Sequence, residues 1–125
     1  MSIAAIILTK NEEKHITRCI NSLKGICDEV FVIDSFSDDK TCEIAEELGA
    51  KVYKNPWKNY ATQFNYGVYQ CSIQSEWIWR IDADEFLEGN IGEAVKTAIQ
   101  SCDTNVNGIY VLSLIHISEP TRLRC

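Results

Sequence analysis

Six consecutive apolar residues, Ile3–Leu8 (IAAIIL), set the tightest limit on what this chain can fold into. The run is too short for an independent helix and does not alternate with polar residues. It reads as a β-strand buried on both faces, the pattern of a parallel sheet covered by helices. Val30–Ile33 (VFVI) repeats the pattern, and so does Trp77–Ile81 (WIWRI), broken only by Arg80, which is expected to pair with an acid. Lys51–Tyr53 reads as a shorter strand, and Gly108–Val111 begins another. Helical stripes lie between them. Ile16, Cys19, Ile20 and Leu23 recur at helical spacing, with Asn11 as the expected N-cap, Glu12 and Glu13 in the first turn and Gly25 at the end. Ser37 or Asp38 is expected to cap a helix carrying Ile44, Ala45 and Leu48. Tyr60, Phe64, Gly67, Val68 and Cys71 share a face of a third helix, and Ile91, Val95, Ala98, Ile99 and Cys102 of a fourth. This alternation predicts an α/β, Rossmann-like fold with a mostly parallel sheet flanked by helices.

The polar punctuation falls at strand C-terminal ends: Thr9–Asn11, Asp34–Ser37 and Asp82–Glu85. In open α/β sheets that edge is where ligands bind. Asp82 and Asp84, one residue apart, can share a hard cation that also holds phosphate oxygens. Taken alone, the pair reads equally well as a solvated acidic turn. Asp34 suits a base or ribose contact, or a turn. Lys10 suits phosphate or base, or solvent. Trp57 suits the wall of a sugar pocket, or loop packing.

A net charge of −6 and a pI near 4.8 argue against nucleic acid as a partner. An acidic chain that handles an anionic nucleotide needs a metal or a local basic group. The six cysteines form no C-x-x-C pair, and His15 and His116 stand in no zinc-ligand spacing. The thiols are expected to be free and buried, in a reducing compartment. No leader peptide and no membrane-spanning run is visible. Leu112–Arg122, LSLIHISEPTR, matches the in-frame translation of a transposase-type sequencing adaptor residue for residue. Residues 112–125 are therefore expected to be a non-native tail without a selected place in the core, and the natural protein to continue past Val111. The alternative is a genuine strand, VLSLIHI, turning at Pro120.

Four segments in register, IILTKNEE, VIDSFSDDKT, NPWKNYATQFN and WIWRIDADE, resemble the nucleotide-binding half of family 2 glycosyltransferases of the GT-A fold. Within that family the chain is most similar to the bacterial lipopolysaccharide-core glucosyltransferase-like group. The resemblance spans about residues 2–111, making 1–111 a truncated nucleotide-sugar-binding domain. It implies an inverting transfer, dependent on Mg²⁺ or Mn²⁺, of a hexose from a nucleoside-diphosphate sugar, a UDP-sugar in many members. The acceptor would be a glycan or lipid-linked lipopolysaccharide core, reached in the cytoplasm or at the inner face of the cytoplasmic membrane. By position, Thr9, Lys10 and Asn11 would border the nucleoside, Asp34 and Ser35 the base, and Asn65 the donor. Asp82 would face ribose or the metal's water shell, and Asp84 would ligate the metal. Three departures stand out. Ser35 replaces a second acid that recognises uracil in many members. Phe64 replaces a basic residue before Asn65. The catalytic general base lies in a later part of the family's chain, beyond the position of Val111, so this fragment is expected to be inactive. A non-catalytic nucleotide- or metal-binding module is the alternative. A D-x-D phosphatase would want Thr or Val where Phe86 stands, and a nucleotidyltransferase a Gly-rich loop where TKNEE stands.

Overall fold

The computed structural model describes residues 2–75, 77–87, 93–95, 97, 108–111 and 121–124. Three βα units lead the chain: β1 (Ile3–Thr9) and α1 (Ile16–Leu23), β2 (Glu29–Asp34) and α2 (Thr41–Glu47), β3 (Lys51–Lys54) and α3 (Tyr60–Gln70). β4 (Trp77–Asp82), β5 (Gly108–Val111) and β6 (Thr121–Arg124) follow. The sheet order is β3-β2-β1-β4-β6-β5, with β1 to β4 parallel. The mostly parallel α/β sheet expected from the apolar runs is present.

β1 shows why its run is unbroken. Ile3, Ala5 and Ile7 point into one core with Ile16, Cys19, Ile20 and Leu23 of α1. Ala4, Ile6 and Leu8 point into the opposite core, with Phe31, Ile33 and Phe64. Each fully buried isoleucine contributes about 1.5–3 kcal/mol of hydrophobic stabilisation. Gly25 and Gly49 follow the first two helices at φ of 82° and 94°, the left-handed geometry that ends a helix. α3 meets the sheet through Gly67, where a Cβ would lie 3.0 Å from Ile33 Cγ1 and 3.2 Å from Ile6 Cγ2. Gly67→Val is expected to cost about 1–3 kcal/mol through overpacking, read as a lower urea midpoint. An unchanged midpoint would show that α3 can ride outward freely.

Two helix starts differ from the sequence expectation. α1 begins at Ile16 rather than behind Asn11. Asn11 takes φ 53° and its side chain accepts from the Asp38 N–H, so it serves the neighbouring loop. Glu12 and Glu13 therefore precede the helix. At α2 it is Asp39, not Ser37 or Asp38, whose Oδ1 accepts from Thr41 N at 3.0 Å and from the Thr41 hydroxyl. The expected fourth helix stripe lies largely outside the described residues; within it, Val95 is buried in the first core.

Thr121–Arg124, within the stretch expected to lack a place, runs antiparallel between β4 and β5. Backbone pairing is tolerant of side chains, so an edge of β4 can pair with almost any extended segment. Residues 112–120 lie outside the described residues. Cys19, Cys27, Cys42 and Cys71 are free thiols, Cys19 and Cys71 buried and the other two half-buried. Cys102 and Cys125 lie outside the residues whose side chains are described. No helix among the described residues is long and apolar enough to cross a membrane.

Candidate functional site

β2 and β3 lie to one side of β1 and β4 to the other, so the winding direction reverses between β1 and β4. Loops leaving the strands on either side of such a reversal diverge and leave a crevice at the C-terminal edge. Here the register pairs Leu8 with Asp82 across the reversal and Thr9 with Asp34 on the other side. The crevice is a cavity of about 330 Å³. Leu8, Thr9, Lys10 and Glu12 line it from the end of β1 and the following loop. Trp57 and Tyr60 line it from the entry to α3, and Asp82, Ala83 and Asp84 from the end of β4.

The loops after β1 and β2 are laced together. Asp34 is fully buried, and its Oδ1 accepts from Thr9 Oγ1 (2.6 Å) and Ser37 Oγ (2.5 Å), its Oδ2 from Ser37 N (2.7 Å). Burial pushes this carboxyl up, but the hydrogen bonds from Ser37, Thr9 and Cys42 outweigh it and hold Asp34 below the ordinary range. Lys10 Nζ donates to Phe36 O at 2.8 Å. Asn11 N donates to Ser37 Oγ, Glu12 N to Thr41 Oγ1 and Glu13 N to Asp39 Oδ2, while Lys40 N returns a bond to Glu13 Oε2. Phe36 is held at φ 57°, a conformation that disfavours a bulky side chain, and is half exposed. A second buried network supports the first. Gln63 Nε2 donates to Ser35 Oγ (3.0 Å) and Asn55 O (3.1 Å), and Gln63 Oε1 accepts from Asn55 Nδ2 (2.9 Å).

The acidic turn after β4 is held from both sides. Glu85 Oε1 accepts from Asp82 N at 2.9 Å, and Glu85 N donates to Asp82 O at 3.0 Å. Beneath it lies the buried thiol of Cys19, 3.8 Å from Asp82 O. Burial, reinforced by Glu85 and Asp84, drives its pKa far up, so it stays a neutral S–H donor. Arg18 of α1 donates to Asp84 O at 3.4 Å and lies 3.9 Å from the Phe86 ring centroid. The Asp84 side chain is exposed and Asp82 half-buried.

Glu12 joins these acids in the crevice. Burial raises its pKa, Asp84 raises it further, His15 opposes, and Asp39 and Asp82 add to the rise. Negative charge is therefore concentrated where a cation would relieve it. Among the described residues no three His, Cys, Asp or Glu side chains form a ready-made metal cage. A magnesium-type ion does not require one, because one or two carboxylates with phosphate oxygens and water suffice. Asp82 and Asp84 fit that donor set.

Thr9, Lys10, Asp82 and Asp84, all expected in the site, line one crevice, and Trp57 joins them. Asn11, Asp34 and Ser35 stand in the loop network rather than among the residues lining the crevice, and Asn65 is exposed on α3, also outside that lining. Arg80, expected beside an acid, lies over the Tyr60 ring at 5.6 Å. Tyr60, expected on the buried stripe of α3, is 56% exposed and walls the crevice. Gln63 was not anticipated. A polar residue three after Tyr60 and four before Gly67, on an otherwise apolar face, was the available signal.

Residues 4–122 match the family model described as Glycosyl transferase family 2. An uncharacterized glycosyltransferase of Rickettsia bellii (strain RML369-C) is 42% identical over 113 residues, covering 90% of this chain and 38% of that protein. The lipopolysaccharide core biosynthesis glycosyltransferase LpsC of Rhizobium meliloti (strain 1021) is 31% identical over 108 residues, covering 82% of this chain and 39% of LpsC. The chain thus spans about two fifths of the length of these relatives. Among solved structures, glucosyl-3-phosphoglycerate synthase from Mycobacterium tuberculosis, in complex with Mn²⁺, UDP and glucosyl-3-phosphoglycerate, aligns with a TM-score of 0.71. The identity is 21%, over 89% of this chain and 43% of that one. Mannosyl-3-phosphoglycerate synthase from Rubrobacter xylanophilus aligns with the same TM-score at 17% identity, over 86% of this chain and 38% of that one. At these identities the likeness establishes the shared fold.

Proposed function

The chain belongs to glycosyl transferase family 2, and from that premise we propose that it is the donor-binding part of an inverting, divalent-metal-dependent enzyme. That enzyme transfers a hexose from a nucleoside-diphosphate sugar, with a UDP-sugar the donor to test first, to a glycan or lipopolysaccharide-core acceptor. One observation carries the reading: Asp82 and Asp84 share the crevice at the sheet's winding reversal with Thr9 and Lys10. LpsC supports the acceptor class, and the neighbour crystallised with Mn²⁺ and UDP supports the donor and the metal.

Asp84 would hold Mg²⁺ or Mn²⁺, and Asp82 would reach the ribose or the metal's water. When bound, the ion supplies positive charge that stabilises the departing diphosphate. Thr9, Lys10 and Asn11 shape the nucleoside side, with Asp34 and Ser35 bracing them from beneath and Asn65 a more distant donor contact. Glu85 and Arg18 fix the turn that presents both aspartates. The proton of the acceptor hydroxyl needs a positioned base. We place that base in a later part of the natural protein and take residues 112–125 to be foreign to it, as their match to adaptor sequence suggests. The 125-residue chain then binds donor without transferring sugar. The setting is the cytoplasm, with peripheral contact at the inner face of the membrane where lipid-linked acceptors are reached.

The test compares this chain with a protein completed to the length of its relatives, using UDP-hexoses and lipopolysaccharide-core acceptors. The completed enzyme should release UDP only with acceptor and divalent cation present, and this chain should not. Equal acceptor-dependent turnover by the two would mean that the catalytic base lies within residues 1–111. Donor binding without transfer by the completed protein would favour the non-catalytic module.

A further inference from the structure

We propose that the donor's nucleobase is held by stacking on Trp57, braced by the perpendicular Tyr60 ring, rather than read by side-chain hydrogen bonds, so that pyrimidine and purine diphosphates bind alike; this rests on the donor-cleft reading above. The polar side chains nearest the nucleoside edge are already engaged within the chain. Asp34 accepts from Thr9 and Ser37, and Ser35 Oγ accepts from Gln63. Lys10 donates to Phe36 O, and Asn11 Oδ1 accepts from Asp38 N. Rotating any of these side chains toward a base would break a bond that ties one segment to another; only the Ser35 hydroxyl proton, Asn11 Nδ2 and the remaining Lys10 N–H groups could donate without that loss.

The aromatic wall offers what those groups do not. Trp57 is 46% and Tyr60 56% exposed, although large aromatic side chains usually bury most of their surface. Both line the crevice. Their ring centroids are 4.8 Å apart at an interplanar angle of 88°, so the edge of one ring supports the other. Asn59 Oδ1 accepts from Thr62 N and caps α3 between them, fixing the relative positions of the two residues. Arg80 lies over the Tyr60 ring. A braced, solvent-facing ring beside a cation-binding edge is suited to a flat base attached to a diphosphate. Stacking tolerates any base, because every base has a π-face.

The three tryptophans make the test direct. Trp77 and Trp79 are buried, so exposed Trp57 reports contact. UDP, ADP and inorganic pyrophosphate are titrated in Mg²⁺, followed by calorimetry and by indole fluorescence excited at its red edge. UDP and ADP should both quench, with dissociation constants within about threefold, and pyrophosphate should bind without quenching. Trp57→Ala should remove the quenching and weaken both nucleotides about tenfold while leaving pyrophosphate unchanged. Trp57→Phe should restore most of the affinity. UDP binding with unchanged affinity in Trp57→Ala, or ADP binding a hundredfold more weakly than UDP, overturns the stacking inference and leaves the donor cleft standing. Equal weakening of pyrophosphate overturns it as well, since the ring would then act only through loop structure. Failure of both nucleotides to bind overturns the donor cleft and this inference together.

Discussion

Asp34→Ala is expected to destabilise the fold by roughly 3–5 kcal/mol, because it strips the acceptor from several charge-assisted hydrogen bonds at a buried junction. Thr9 Oγ1, Ser37 Oγ and Ser37 N all donate to this carboxylate, and Ser37 Oγ also accepts from Asn11 N, so the loss reaches the loop after β1 as well. Part of the loss is recovered where the half-buried Ser37 turns to water. The effect has a defined pH dependence. Asp34 is held below the ordinary carboxylate pKa, so its contribution is present above the unfolded-state value of about 3.9 and disappears as pH falls through the folded value. Urea denaturation at pH 7 should show the full gap between the natural residue and alanine, and the gap should narrow in acid below about pH 4. A gap of equal size at both pH values would mean that Asp34 contributes packing rather than charge.

The fold was legible because its signals are local. IAAIIL, VFVI and WIWRI announce strands buried on two faces, and the stripes from Ile16 and from Phe64 announce the helices between them. The aspartates of the site were legible because they stop an apolar strand. The loop network was not, because its bonds join residues 25 to 29 positions apart. A side chain such as Asn11 can cap its own helix or the neighbouring loop, and only the parallel pairing of β1 with β2 decides between them. Asp34 was legible as polar at a strand end. That it braces the loops depends on Thr9 lying beside it in register. Tyr60 obeyed the helical spacing of a buried residue, but the first turn of α3 overhangs the crevice and leaves it exposed. Gln63 reversed the usual preference by finding two partners inside, Ser35 and Asn55. β6 had no strand signal of its own, and an available sheet edge recruited it.

In the proposed enzyme, Asp82 and Asp84 present a divalent cation to the donor's diphosphate. Two phosphate charges brought beside these carboxylates, with the Glu12 pKa already raised by burial and then by Asp84, repel strongly unless a cation intervenes. Asp84 is the more exposed of the pair, and its carbonyl rather than its side chain meets Arg18, so Asp84→Ala removes the proposed ligand without loosening the turn. Removing a direct ligand should weaken cation-dependent binding about a hundredfold, close to 2.7 kcal/mol. The decisive measurement is calorimetric titration of UDP into this chain and into Asp84→Ala, each with Mg²⁺ and with chelator. Binding should be at least tenfold tighter with Mg²⁺ in the unsubstituted chain and nearly insensitive to Mg²⁺ in the variant. Equal UDP affinity in all four titrations would contradict the proposed cation role and reduce Asp82–Glu85 to a solvated turn.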